Sequence, residues 1–303
     1  MERRQLEYFL AVVERSGFTS AAHALHVTQP SLSHGIACLE REVGAPLFHR
    51  LSRGATLTAA GEALVGPARQ VLRDFGTAHA AVQHVAGLTA GHLDIVSLTT
   101  LAVHPLALLA GSMQQRDPRV DLRISGPPHS KAIPDMVRAG VHEIGLTDSA
   151  RNLEGLESLR LRSDEMLLVL AGDGPDLPDP FPLASLAGLP LVAAPVGSST
   201  RELVDRFLAA RGGSARIAVE VSHWAAIVPL VQAGAGVALL PTKMADDASR
   251  YGARVHATDP PLVQHVRLVW RGGALSPAVA ALLDLARELD LVAEDPEPQP
   301  PVH

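Results

Sequence analysis

Gln29, Ser33 and His34 are three different hydrogen-bonding side chains, spaced so that a helix starting near residue 29 presents them on one flank. An amide, a hydroxyl and an imidazole without internal partners suit hydrogen bonds to base edges in a DNA groove. Arg41 extends the same polar face, and Arg50 and Arg53 follow where guanidinium groups can reach phosphates or a minor groove. Thr19, Ser20, Pro30 and Ser31 flank these groups and complete a candidate DNA-contact set. A second set lies downstream, where Thr99, Thr100, His129, Thr147, Ser198, Ser199, Arg201 and His223 sit at or just beyond the ends of short apolar runs. Hydroxyls and ring donors at such turns suit a small anionic or strongly hydrogen-bonding molecule.

The elements that must position the first set can be read from spacing. Thr19 reads as the N-cap of a short helix in which Ala21 and Ala22 permit close approach before Leu25. Thr28 caps the next helix, and Pro30 sits in its first turn, where a missing N–H costs little. Leu32, Ile36, Leu39 and Val43 predict one buried face. Ahead of both, Leu6, Phe9, Leu10 and Val13 mark a leading helix at i, i+3, i+4 and i+7. Residues 46–58 predict a wing that turns at Arg53-Gly54.

The segments Leu6-Glu-Tyr-Phe-Leu10, Gln29-Pro-Ser-Leu-Ser33, Leu47-Phe-His-Arg50 and Leu57-Thr-Ala-Ala-Gly61 together resemble the LysR-type transcriptional regulators. The likeness covers the whole winged domain, and the remaining length and element order agree with it. It implies an effector-responsive regulator built from dimers, commonly tetramers. It also carries Gln29, Pro30, Ser33, His34 and Arg53 onto base and backbone contacts. His34 departs from the pattern, since many relatives have Arg there. A neutral imidazole donates one hydrogen bond and cannot grip guanine bidentately as Arg does.

Composition narrows the function classes. Of 303 residues, 47% are hydrophobic and 19% charged, enough for two or three cored domains. The net charge of −6 argues against non-specific coating of nucleic acid. Residues 1–62 carry six Arg and six Glu, so DNA binding must rest on a few placed arginines and symmetry-doubled contacts. The single cysteine, Cys38, allows no intrachain disulfide and fits a reducing interior. It reads as a small spacer toward the solvent side of the recognition helix, with a redox switch as the alternative. The first residues do not read as a signal sequence, and no run of eighteen apolar residues exists, so the expectation is a cytoplasmic protein with no membrane partner.

From residue 58 to about 89, an Ala-rich helical pattern carries Leu64, Ala68, Val71, Leu72, Phe75, Ala78, Val82 and Val85 in a broad stripe interrupted by Pro67. A stripe this long needs a partner helix, expected from a second copy of the chain; packing on its own C-terminal domain is the alternative. Beyond it, strands are predicted over 92–98, 120–124, 143–147, 166–171, 189–194, 217–221, 237–240 and 263–270. Helices are predicted over 102–115, 132–139, 200–210, 225–233 and 277–291. The alternation implies mostly parallel sheets covered on both faces. The expected organisation is α/β with an N-terminal all-α winged helix-turn-helix (1–58), a dimerisation helix (59–89) and a two-lobed, periplasmic-binding-protein-like domain (90–292). Lobe I takes about 90–162 and 268–292, lobe II about 163–267, with a crossover near 161–163; the acidic, Pro-rich tail 293–303 is expected to be disordered.

A ligand in such a sheet sits off the strand ends where helix N-termini converge. Each Ser or Thr there is also a good N-cap with no ligand at all. Thr100 leads, because the resemblance implies hydroxyls at the matching turn that hold carboxylates. Arg201 is either a carboxylate clamp or a surface ion pair, and Trp224 is a packing residue. No Gly-x-Ser-x-Gly elbow, P-loop lysine or His-Glu-x-x-His helix occurs, so neither catalysis nor a cofactor is expected. Gly234-Ala-Gly236 precedes a strand and reads as a helix-ending turn. His23 and His26 lack a third ligand, so no metal is expected. The expected protein binds promoter DNA, a small effector and further copies of itself; an effector-independent repressor with a vestigial cleft is the alternative.

Overall fold

A computed structural model describes residues 1–50, 54–85, 91–127, 129–149 and 151–294, with the side chains of Arg50, 79–81 and 83–85 also outside that description. The N-terminal unit comprises α1 (Arg3–Arg15), α2 (Phe18–Ala24), α3 (Gln29–Val43) and a hairpin of β1 (Phe48–Arg50) and β2 (Ala55–Leu57). Leu6, Phe9, Val12, Ala21, Leu32, Ile36, Leu39 and Leu47 are almost fully buried and form its core. The Phe48 ring lies 5.4 Å from that of Phe9 and 5.5 Å from that of Phe18, seating the wing on the helices.

Three local expectations change. Gly17, not Thr19, is the N-cap of α2, because Phe18 is drawn into the helix to reach Phe48. Val12 rather than Val13 is the buried valine of α1. Val43 is 40% exposed, because α3 overruns the core by its last turn before Gly44 ends it with φ +74°.

A long helix, α4 (Ala59–Val85), follows. The Thr58 hydroxyl accepts from Gly61 N at 3.0 Å and donates to Pro46 O at 2.6 Å, so one residue caps α4 and ties it to the wing. The predicted stripe divides. Ala68 is buried and Leu64, Val71 and Leu72 pack on the N-terminal core, whereas Phe75 and Val82 are 49% and 69% exposed. Val85 lies among the undescribed side chains.

The C-terminal region runs β3 (Gly91–Ser97), α5 (Thr99–Leu101), α6 (Ala107–Arg116), β4 (Val120–Ser125), α7 (Ile133–Arg138), β5 (Ile144–Thr147), β6 (Leu156–Leu170), β7 (Phe181–Pro182), β8 (Pro190–Ala193), α8 (Ser199–Ala209) and β9 (Arg216–Glu220). It continues α9 (Ile227–Gln232), β10 (Ala238–Pro241), α10 (Thr242–Arg250), β11 (Arg254–His256), β12 (Thr258–Asp259), β13 (Leu262–Arg271) and α11 (Pro277–Glu288). The main sheet has the order β10-β6-β13-β5-β3-β4, with β11 also on β6. Only β3 pairs in parallel, with β4 and β5; the other pairings in this sheet are antiparallel, so the sheet is mixed rather than mostly parallel. The parallel pair β8–β9 joins through a Leu191–Val237 bridge.

Lobe I is cored by Leu93, Ile95, Leu109, Ile144, Leu146, Leu268 and Leu282. Lobe II has a core on each face of its sheet: Met166, Leu168 and Leu170 of β6 point into one, Val169 into the other, as the period of two requires. The passage near 161–163 is made by strand, with Leu161 in the first lobe's core and Met166 in the second's. There β6 runs unbroken through both, paired to β13 from Leu156↔Arg271 to Met166↔Leu262 with an irregularity at Gln264/Val266. The single helix expected over 102–115 is broken, since His104 is extended (φ −155°, ψ 132°) ahead of Pro105, and regular helix resumes at Ala107. Helix α10 was not anticipated. The tail from 295 onward lies outside the described residues.

Candidate functional site

The flank of α3 opposite the core carries Gln29, Ser31 and His34, all exposed, with Ser33 partly buried. Helix α3 can press this flank outward because Gly35 lies against the Tyr8 ring on the other side; a Cβ there would sit 2.6 Å from Tyr8 Cδ2. Thr28 accepts from Ser31 N at 3.4 Å, as its cap role predicts. The polar groups are not partnerless. Gln29 Nε2 donates to Ser33 Oγ at 2.9 Å, Arg41 Nη2 donates to Cys38 Sγ at 2.9 Å, and His34 Nε2 lies 3.5 Å from the same sulfur. Such exposed bonds are worth only about 1 kcal/mol net and exchange readily for a base edge.

The wing is fixed to the helical unit from two directions, by α3 and by the end of α1. Glu40 Oε1 accepts from Leu47 N at 2.8 Å and Phe48 N at 3.4 Å, and Ala55 N donates to Ser16 O at 3.1 Å. Spacing alone did not reveal the anchoring role of Glu40. Thr19 is exposed, whereas Ser20 turns its hydroxyl back to Arg15 O and Gly17 O. Arg53 and the Arg50 side chain lie outside the described residues.

The expected cleft maps to the contact between the lobes, where the end of β5 and β13 meet the first turn of α8. Thr100 is 2% exposed, and its hydroxyl has no hydrogen-bond partner. Thr147 is fully buried and accepts from Ser149 N at 3.2 Å. Gln264 on β13 sits at the crossing, its Nε2 3.3 Å from both Asp148 Oδ2 and Ser199 Oγ. Burial pushes the Asp148 carboxyl above its ordinary value, against the hydrogen bonds from Gln264 and Ser199. The Thr200 hydroxyl and Gln264 Oε1 are also buried without a partner. The lobes touch directly: Ser130 Oγ donates to Gly197 O at 2.8 Å, and Lys131 Nζ meets Glu202 Oε1 at 2.8 Å.

Other candidates fall differently. Arg201 is committed to ion pairs with Asp205 at 2.9 Å and Glu220 at 3.4 Å. Ser198 Oγ donates to Pro195 O at 2.8 Å. Thr99, His129 and His223 are exposed. Asp148 and Gln264 were missed by sequence reasoning. The one weak signal was a lone amide within the apolar run Leu262-Val-Gln264.

No helix among the described residues is long and apolar enough to cross a membrane. Comparison with known proteins matches residues 3–62 to the bacterial regulatory helix-turn-helix protein, lysR family, and residues 86–290 to the LysR substrate binding domain. The HTH-type transcriptional regulator IlvR of Caulobacter vibrioides is 31% identical over 293 residues, spanning 95% of this chain and 98% of its own. A full-length OxyR variant from Pseudomonas aeruginosa shares the fold with a TM-score of 0.77 at 23% identity, covering 98% of this chain and 99% of that one. Full-length CbnR complexed with its target DNA does so with a TM-score of 0.66 at 23% identity, covering 95% and 99%. The chain therefore belongs to the LysR family of DNA-binding transcriptional regulators, a helix-turn-helix followed by a substrate-binding domain.

Proposed function

We propose that this protein is a homo-oligomeric regulator that reads promoter DNA with α3 and the wing, and answers to a small effector carrying an anionic group in the interlobe cleft. The observation that carries the effector reading is the buried, unpartnered hydroxyl of Thr100 just beyond β3, together with two more such atoms, on Thr200 and Gln264, at the contact between the lobes. Buried polar groups are normally satisfied, and a ligand supplies what this cleft lacks. Gln29, Ser33 and His34 are assigned to base edges, with Thr19, Ser31, Arg50 and Arg53 on or near the backbone. Thr100, Ser199 and Thr200 are assigned to the effector.

The bare half of the α4 stripe, Phe75 and Val82, is assigned to the matching helix of a second copy. A dimer addresses two half-sites, and pairs of dimers make a tetramer on DNA. Effector binding shifts the lobes, the placement of the dimers and the bend of the DNA. Work on promoters places the protein in the cytoplasm.

Footprinting on the DNA upstream of its own gene, with and without small carboxylates, tests this reading. A protected region altered by one carboxylate is the expected result; no protection at moderate ionic strength would refute it. A thermal-shift series with the same carboxylates separates an effector-responsive protein from an effector-independent repressor, since a true ligand stabilises the fold by mass action.

A further inference from the structure

We propose that the effector is a zwitterion of the α-amino-acid kind, its ammonium group held by Asp148 and its carboxylate by the first turn of α8. The proposal rests on the cleft being the effector site and specifies the chemistry that site accepts. Asp148 ends β5 at the lobe boundary with an amide, Gln264 Nε2, on its Oδ2. Lys131 is engaged with Glu202, and Arg201 with Asp205 and Glu220, while Arg206 acts on Asp148 only through space, as the last and smallest of the influences on it. A partly buried carboxylate served by neutral donors favours a ligand that brings positive charge.

The complementary group is an eleven-residue helix with an uncapped start. Ser198 occupies the N-cap position of α8 but turns its hydroxyl to Pro195 O, and the first intrahelical bond runs from Glu202 N to Ser198 O. The N–H groups of Ser199, Thr200 and Arg201 are thus left for an anion. Independently, Thr200 is 7% exposed with no partner for its hydroxyl in this same turn. The two charge sites are adjacent, because the single Gln264 amide nitrogen is 3.3 Å from Asp148 Oδ2 and 3.3 Å from Ser199 Oγ. That separation suits charged groups on neighbouring atoms of one small molecule. Beside Thr200, Leu191, Val204, Trp224, Ile227 and Leu239 line a small apolar pocket fit for a short aliphatic side chain. A simple carboxylic acid leaves Asp148 with Arg206 alone, acting through space, as counter-charge, and a dicarboxylate sets a second negative charge against it.

Calorimetric titration of the full-length protein with alanine, valine and leucine, against the 2-hydroxy and 2-oxo acids of the same carbon skeletons, tests the assignment. At least one amino acid is expected to bind, with its oxygen analogues at least tenfold weaker. Asp148→Asn is expected to weaken that amino acid at least tenfold while the circular dichroism and melt stay cooperative. Equal binding by the oxygen analogues, unchanged affinity in Asp148→Asn, or no binding by any amino acid overturns the zwitterion. The cleft reading fails separately: it falls if a ligand of either series binds wild type and Thr100→Val alike, and it stands if Thr100→Val loses an oxo acid that wild type binds.

Discussion

Replacing Gly61 with Ala asks how tightly the long helix α4 is seated beneath the wing. Ala is favoured over Gly in a helix by at most about 1 kcal/mol. Against that, the new Cβ would lie 2.2 Å from Leu47 O and 2.8 Å from Leu57 Cδ2. The leucine tip can rotate away, but the carbonyl is held by the 3.0 Å bond from Thr58 N, and Leu47 N is itself bound to Glu40. Relief needs α4 to retreat by roughly an ångström, given ordinary non-bonded separations. Overpacking of this kind costs about 1–3 kcal/mol. The retreat also strains the Thr58 bonds to Leu47 and Pro46, each worth about 1 kcal/mol net. Crowding therefore wins over propensity, and Gly61→Ala is expected to destabilise the N-terminal unit by about 1–4 kcal/mol and to weaken operator protection. Gly111→Ala in α6 is the control: nothing lies within 4 Å of its added Cβ, so it is expected to stabilise by about 0.5–1 kcal/mol. Urea or thermal melts of both variants decide the matter. A Gly61→Ala protein that melts at or above wild type would refute the close-packing argument.

Other expectations follow from the same geometry. Thr28→Ala removes the cap of α3 and is expected to cost about 1 kcal/mol, seen as a lower melting point and a weaker footprint. Ser33→Ala is expected to weaken operator binding without changing the melt; a wild-type footprint would contradict its contact role. Ser130→Ala removes the hydrogen bond to Gly197, and a larger radius of gyration in X-ray scattering is expected if that bond helps hold the lobes together. For Asp148, burial raises the folded carboxyl above its ordinary 3.8, so the folded chain binds that proton more tightly than the unfolded chain. Its contribution to stability is present below pH 3.8 and is lost as pH rises through the raised folded value. Asp148→Asn is expected to flatten that part of the stability curve, and an unchanged slope would count against burial as the cause.

What could be read from sequence was whatever lies on a single repeating face. Leu32, Ile36 and Leu39 announced α3 because one helix flank buries all three, and Thr28 announced its start through local hydrogen bonding. Val43 continued the same spacing yet stands in solvent, since periodicity does not say where the opposing core stops. The first half of β6, Leu156-Glu-Ser-Leu-Arg-Leu-Arg162, was missed because only Leu161 in it is fully buried and its charged side chains masked the strand. Helix α10 buries only Ala245 and Ala248, too small to leave an apolar stripe. Of the proposed effector residues, Thr100 and Ser199 could be put forward from sequence because hydroxyls at strand-to-helix turns are locally favoured. Asp148 and Gln264 could not, because they meet Ser199 only after residues more than fifty positions apart have been folded together.

The strand pair β6–β13 has a mechanical implication. Two independent tethers would let one lobe twist freely over the other. Here both passages between lobes are zipped edge to edge, so the connection behaves as a leaf spring that flexes across its broad face and resists torsion. The irregular step at Gln264 and Val266 is where such a spring is softest, and Gln264 is also the residue that touches both walls of the cleft. A molecule lodged beside that amide therefore acts at the bending point itself, where a small displacement is multiplied along the full length of each lobe.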